Sequence, residues 1–160
     1  IFAGFFLCNC NNILKLKPNK VIYKISIDYR LDHNDNFKIY YENDLSLPFS
    51  EKKSYRYPVT GSFKIKVLEQ DIVSKSSIEK LRIDLGSNKK NTLIELKKIT
   101  IKKETKQITI HQSEINNYFE PNEFLRVSDG GSYITINKQE SNYDPFIRPT
   151  PKLVKKLFKL

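Results

Sequence analysis

Arg82 and Asp84 stand two apart in the stretch Leu81-Arg82-Ile83-Asp84-Leu85-Gly86, so on an extended backbone both side chains leave the same face. A guanidinium beside a carboxylate can form a salt bridge or a short polar network on a sheet. A second group is oxygen-rich. Asp32, Asn34, Asp35 and Asn36 offer the hard ligands that calcium takes. Their spacing departs from the helix-loop-helix calcium pattern, and the same residue types build ordinary turns. The third group is aromatic. Tyr40, Tyr55 and Tyr57 could stack on the C–H faces of sugar rings, or could pack across neighbouring strands. Only an outward ring could serve a ligand; Tyr41 is phased inward, whereas Tyr40 leaves from the polar side.

Groups that would do covalent chemistry are missing. His33 and His111 are isolated, and neither belongs to a His-x-x-x-His or Cys-His pattern. No Gly-x-Ser-x-Gly elbow, phosphate-cradling loop or Gly-x-Gly-x-x-Gly fingerprint occurs. A carboxylate pair for glycoside hydrolysis is a three-dimensional property that linear spacing does not reveal. The expectation is a protein that is not an enzyme and carries no cofactor unless calcium binds at Asp32, Asn34 and Asp35.

The elements that must position these groups are strands. Val21, Tyr23, Ile25, Ile27 and Tyr29 alternate with Lys24, Ser26 and Asp28, the mark of a half-buried strand. Phe37, Ile39 and Tyr41 repeat the rhythm after the polar loop. Tyr55, Tyr57 and Val59 do so around Pro58, which points to an edge. Further strands are read at 63–67, 80–85, 93–102 and 107–111, with residues 69–78 as a polar link. Ser113 opens one helical turn that stops before Pro121. Segments 124–127 and 133–137 form a hairpin across Asp129-Gly130-Gly131, and Asp144 fixes a turn before a last extended segment. The fold class read from this is all-β: an antiparallel β-sandwich, or jelly roll, of about nine strands with a short C-terminal basic helix.

The order Phe37-x-Ile39-Tyr40-Tyr41, then Leu81-Arg-Ile-Asp-Leu-Gly86, then an Ile-rich strand, then Asp144-Pro-Phe-Ile147 resembles the galactose-binding-domain-like β-sandwiches appended to bacterial envelope proteins. The similarity runs over roughly residues 20 to 148. It implies a carbohydrate-binding-module-like jelly roll, in a setting that includes membrane proteins concerned with surface polysaccharides. It carries over no defined set of binding residues.

The chain has 160 residues and a net charge of +10, enough length for one domain with a real core. Positive charge alone would suit nucleic acid. Arginine, the residue of bidentate readout, occurs only at Arg30, Arg56, Arg82, Arg126 and Arg148, and the lysines scatter over every strand and turn. No nucleic-acid partner is expected; attraction to anionic lipid or acidic polysaccharide is physically reasonable.

The chain opens Ile-Phe-Ala-Gly-Phe-Phe-Leu7-Cys8-Asn9-Cys10 without an initiator methionine, which predicts a start inside a longer reading frame. Residues 1–7 are too few to span a bilayer, which takes roughly 20 apolar residues, but suit the tail of a signal peptide or of a membrane helix. Cys8 and Cys10 are too close for an ordinary disulfide and too few for zinc. Leu7 stands three before Cys10 as in a lipoprotein acceptor, though Asn9 replaces the small residue such signals carry; the stretch resembles a degenerate lipobox. Cys10, with Cys8 as the alternative, is the lipidation candidate. Lipoprotein signal and membrane-helix end both remain open. Both predict an extracytoplasmic, membrane-anchored domain of the cell envelope, with carbohydrate or an envelope protein as partner. Residues 1–16 are read as the tether, 17–149 as the sandwich and 150–160 as a basic amphipathic tail. That tail could lie on a membrane, pack on the sandwich or lead onward.

Overall fold

The computed structural model describes residues 20–160. The lipidation candidates Cys8 and Cys10, and the tether assigned to 1–16, lie outside the described residues. Eleven strands are present among the described residues, against about nine expected. They are β1 (Val21–Leu31), β2 (Asp35–Glu42), β3 (Ser54–Val59), β4 (Ser62–Ser74), β5 (Lys80–Asp84), β6 (Leu93–Lys103), β7 (Lys106–His111), β8 (Phe119–Pro121), β9 (Leu125–Val127), β10 (Tyr133–Thr135) and β11 (Phe146–Pro149). Two short helices join them, α1 (Ile115–Tyr118) and α2 (Pro151–Leu157).

The strands form two antiparallel sheets that make a β-sandwich. One is six-stranded, ordered β4-β1-β6-β10-β9 with β7 also paired to β6; the other is five-stranded, ordered β3-β2-β5-β11-β8. The chain crosses from sheet to sheet several times, so neither sheet could form alone from a contiguous segment. β1 lies inside its sheet, paired to β4 on one side and β6 on the other. Its inner row, Tyr23, Ile25, Ile27, Tyr29 and Leu31, is buried, as are Phe37 and Ile39 of β2 and Leu81 and Ile83 of β5. Tyr29 meets Phe37 edge-on at 5.3 Å between ring centroids, a direct contact between the sheets. Each such apolar side chain contributes about 1.5–3 kcal/mol when fully buried.

Buried tyrosines need partners for their hydroxyls. The Tyr23 hydroxyl accepts from the Ile78 N–H at 3.1 Å, and the Tyr29 hydroxyl from the Thr60 N–H at 3.2 Å. These bonds seat the loops that close the sandwich. Leu153 and Leu157 of α2 are buried in the same apolar cluster. The tail therefore packs on the sandwich, while Phe158 points to solvent and is 57% exposed. None of the described helices is long and apolar enough to cross a membrane.

The strand expected at 63–67 is longer than expected, running from Ser62 to Ser74. β4 absorbs most of the segment read as a polar link, and its register with β1 puts Leu68, Gln70 and Ile72 opposite the inward Ile27, Ile25 and Tyr23. Phe63, Ile65 and Val67 therefore fall on the outer face, where all three are exposed. Because β4 is an edge strand, it has room to present apolar residues that a central strand would bury.

Candidate functional site

The five-stranded sheet carries a dense polar layer on its outer face. Arg82 and Asp84 do share a face, and Arg82 Nε and Nη2 donate to the two Asp84 carboxylate oxygens at 2.7 and 2.8 Å. Asp144 lies 3.7 Å from the same guanidinium. That cation is clamped between aromatic rings, 4.5 Å from the Tyr40 centroid and 4.3 Å from Phe146. Burial pushes the Asp84 carboxyl above its ordinary range, outweighing the Arg82 fork that pulls it down. Lys38 sits 4.6 Å over the Tyr40 ring and pairs with Glu51, which also accepts from the Tyr40 hydroxyl.

This arrangement closes the face. Tyr40 leaves from the outer side as its phase predicts, yet it is only 7% exposed. Arg82 and Lys38 occupy its ring faces, and Phe49, folding back from the following loop, meets it edge-on at 6.3 Å. Little of the ring is left open to solvent. Tyr55 and Tyr57 point the other way, being registered against the inward Ile39 and Phe37. Tyr41, Tyr55 and Tyr57 stack in a row along the sheet margin at 6.2 and 6.3 Å. Burial raises the Tyr57 phenol well above its ordinary value. The expected aromatic platform is thus divided between a clamped ring and a packing row.

The oxygen-rich loop is likewise occupied. Asp35 accepts from the Asn36 and Ser87 N–H groups through Oδ1, and from the Asn88 N–H and Asn91 Nδ2 through Oδ2, at 2.8–3.1 Å. Asn34 accepts from the Gly61 N–H. Four N–H donors thus converge on one carboxylate. Gly86 is required beside it: its φ is +91°, and an added Cβ would lie 2.1 Å from the Asp35 carboxylate carbon. Asp32 is separate, accepting from the Thr92 hydroxyl at 3.2 Å. Among the described residues no group of three or more His, Cys, Asp or Glu side chains is placed to hold a metal. The structure therefore assigns Asp35 and Asn34 to joining the β1–β2 turn to its neighbours.

The outer face of the six-stranded sheet is open instead. Two irregularities fall at the same level of β1. Between Tyr29 and Leu31, β1 advances two residues while β4 advances four, from Lys66 to Ser62. Between Asp28 and Tyr29, β6 carries the extra residue Lys97. Such bulges re-aim side chains and are common beside functional sites. Here they border a cleft of about 220 Å³ lined by Arg30, Leu31, Asp32, Phe63, Leu93 and Glu95. Phe63 is 91% exposed on its rim.

Glu95 anchors the floor. Arg30 opposes it across the strands and forms an ion pair with it; Lys97 donates to it at 3.2 Å and to Gln112 at 3.1 Å. Burial pushes the Glu95 carboxyl up, but the Lys97 and Arg30 hydrogen bonds and charges outweigh it and hold the group below its ordinary value near 4.5. A carboxylate so held is an acceptor, not a proton donor at neutral pH.

Of the residues singled out by sequence, only Asp32 lies in this cleft. Phe63, Arg30 and Glu95 were not singled out. A signal for Phe63 exists: apolar residues at 63, 65 and 67 are out of phase with Leu68 and Ile72 of the same unbroken strand, so one set must face outward. The site belongs to an all-β sandwich with an aromatic-rimmed polar cleft. No family model, no curated protein and no solved structure matches the chain.

Two outcomes test these assignments. Asp35→Ala should strand its N–H partners and lower stability by about 2 kcal/mol in urea unfolding, with wild-type melting unaffected by calcium or chelator. A chelator-induced drop in Tm would restore the loop as a metal site. Glu95, with its lowered value, contributes stability that is present above the ordinary glutamate range and is lost as pH falls through the lowered one. Glu95→Gln should therefore cost about 1 kcal/mol at pH 7 and flatten the acid limb of stability, measured by denaturation across pH. A variant whose acid limb runs parallel to wild type would contradict this.

Proposed function

We propose that this chain is a non-enzymatic accessory domain of the bacterial envelope, tethered to a membrane by its N-terminal segment, that binds carbohydrate in the manner of galactose-binding-like modules. One observation supports the sugar reading above others: a nearly fully exposed phenyl ring, Phe63, stands beside Arg30, Asp32 and Glu95 at one open cleft. An unpartnered aromatic face suits the C–H face of a pyranose, while the guanidinium and carboxylates suit its hydroxyls. A space of about 220 Å³ has room for one sugar unit rather than a long chain. The tether and envelope location rest on the apolar stretch before Cys8 and on Cys10. The non-enzymatic reading is supported by the ionised, ion-paired state of Glu95, which leaves the cleft without a proton donor of that kind.

A second reading, a protein-interaction module within a larger membrane protein, is favoured by the row Phe63, Ile65 and Val67 on the edge strand β4. Exposed apolar rows of this kind mark docking surfaces.

Screening the full chain on a glycan array separates the two. Binding to a sugar that falls about tenfold or more in Phe63→Ala and Arg30→Ala, and is untouched in Ile65→Ser/Val67→Ser, is the expected result. No glycan bound, or equal loss in all variants, would discard the sugar reading.

A further inference from the structure

The start of β1 shares one end of the sandwich with the β6–β7 turn and the end of α2. Val21 pairs with Ser74, Tyr23 with Lys103, and Lys103 with Lys106. Lys106 Nζ in turn donates to the Lys159 carbonyl at 3.0 Å. Lys20, Lys24, Lys102, Lys103, Lys106 and Lys159 gather at this pole, and the carboxylates beside them include Asp71, which opposes Lys24, Glu69, which lines a cleft with Lys24, and Glu104 in the turn. Scattered in sequence, these lysines become one surface when folded.

Apolar side chains stand among them. Ile22 is 54% exposed in a shallow cleft of about 380 Å³ with Lys20, Lys24 and Lys102. Phe158, just past α2, is exposed near Lys155 and Lys159. The helix itself is not free to lie down on a bilayer, because Leu153 and Leu157 are buried in the core. It offers its lysines instead, with Lys152 and Lys156 held 4.6 and 4.8 Å over the Tyr118 ring.

We infer that this lysine-rich pole rests on anionic lipid headgroups, standing the domain on the membrane with the Phe63 cleft end directed away. The ligand chemistry is a plane of phosphate-bearing headgroups over hydrocarbon. Ammonium groups attract the headgroups without a demand for bidentate geometry, and Ile22 and Phe158 enter the interface between them. Isolated apolar tips within a basic patch suit a bilayer better than a fully hydrated polysaccharide. The orientation rests on the tether reading, since the segment before Lys20 joins the fold at this pole; the attraction itself does not.

Co-sedimentation of the full chain with vesicles of phosphatidylcholine, with and without phosphatidylglycerol, tests it. Binding to neutral vesicles reports the tether, and the excess on anionic vesicles reports the pole. The expected excess is about tenfold or more at low salt, collapsing as salt rises. Lys20→Glu/Lys102→Glu/Lys106→Glu should abolish the excess. Lys64→Glu/Lys66→Glu/Lys90→Glu, at the far end and with the same charge change, should keep most of it. Absence of any anionic excess, equal loss in both triple variants, or tighter binding to soluble alginate than to anionic vesicles would overturn the inference. An excess that persists without neutral binding would support the pole while removing the tether.

Discussion

The position of β1 between β4 and β6 is the constraint from which the rest of the molecule follows. Hydrogen bonds on both edges fix its register, and its strict alternation fixes which face is dry. Tyr23, Ile25, Ile27, Tyr29 and Leu31 then form the row on which Phe37, Ile39 and Ile83 of the other sheet must pack. A slip by one residue would bury Lys24, Ser26 and Asp28 and expose the whole row. The two irregularities flanking Tyr29 fall where that strand reaches the cleft.

The two outer faces solve the problem of surface aromatics differently. On the five-stranded sheet the Tyr40 ring lies beneath two cations of the same domain, each paired to a carboxylate, Lys38 with Glu51 and Arg82 with Asp84, and Lys53 also pairs with Glu42. Such a layer is satisfied internally and offers little to a partner. On the six-stranded sheet Phe63, Ile65 and Val67 have no such covering. Lys64 and Lys66, alternating with them, discourage a second copy from pairing along the edge, a common device on exposed strands. Openness there, together with closure opposite, leaves one outer face accessible and the other covered.

Much of the architecture was legible in sequence because its cause is local. Period-two alternation marks β1, β2, β5 and β6; Asp129-Gly130-Gly131 marks the hairpin of β9 and β10; Pro151 opens α2. Arg82 and Asp84 were rightly placed on one face, since parity alone decides that. The candidate site was less legible, because its causes are not local. Tyr40 is covered by Phe49, whose loop folds back for reasons absent from the strand. Asp35 is claimed by N–H groups of residues 87, 88 and 91, more than fifty positions away. Phe63 looks like core by type and alternation, and only its pairing with β1 turns it outward. Parity states which residues share a face; it does not state which face is inside.

Amide hydrogen exchange followed residue by residue tests the central place of β1 and the edge place of β4 most directly. Amides of β1 from Tyr23 to Tyr29 should be the slowest in the protein, opening only with global unfolding, while Phe63 to Val67 of β4 exchange orders of magnitude faster. If residues 63–67 were as protected as β1, β4 would not be a free edge, and both the open face and the cleft built on it would be lost.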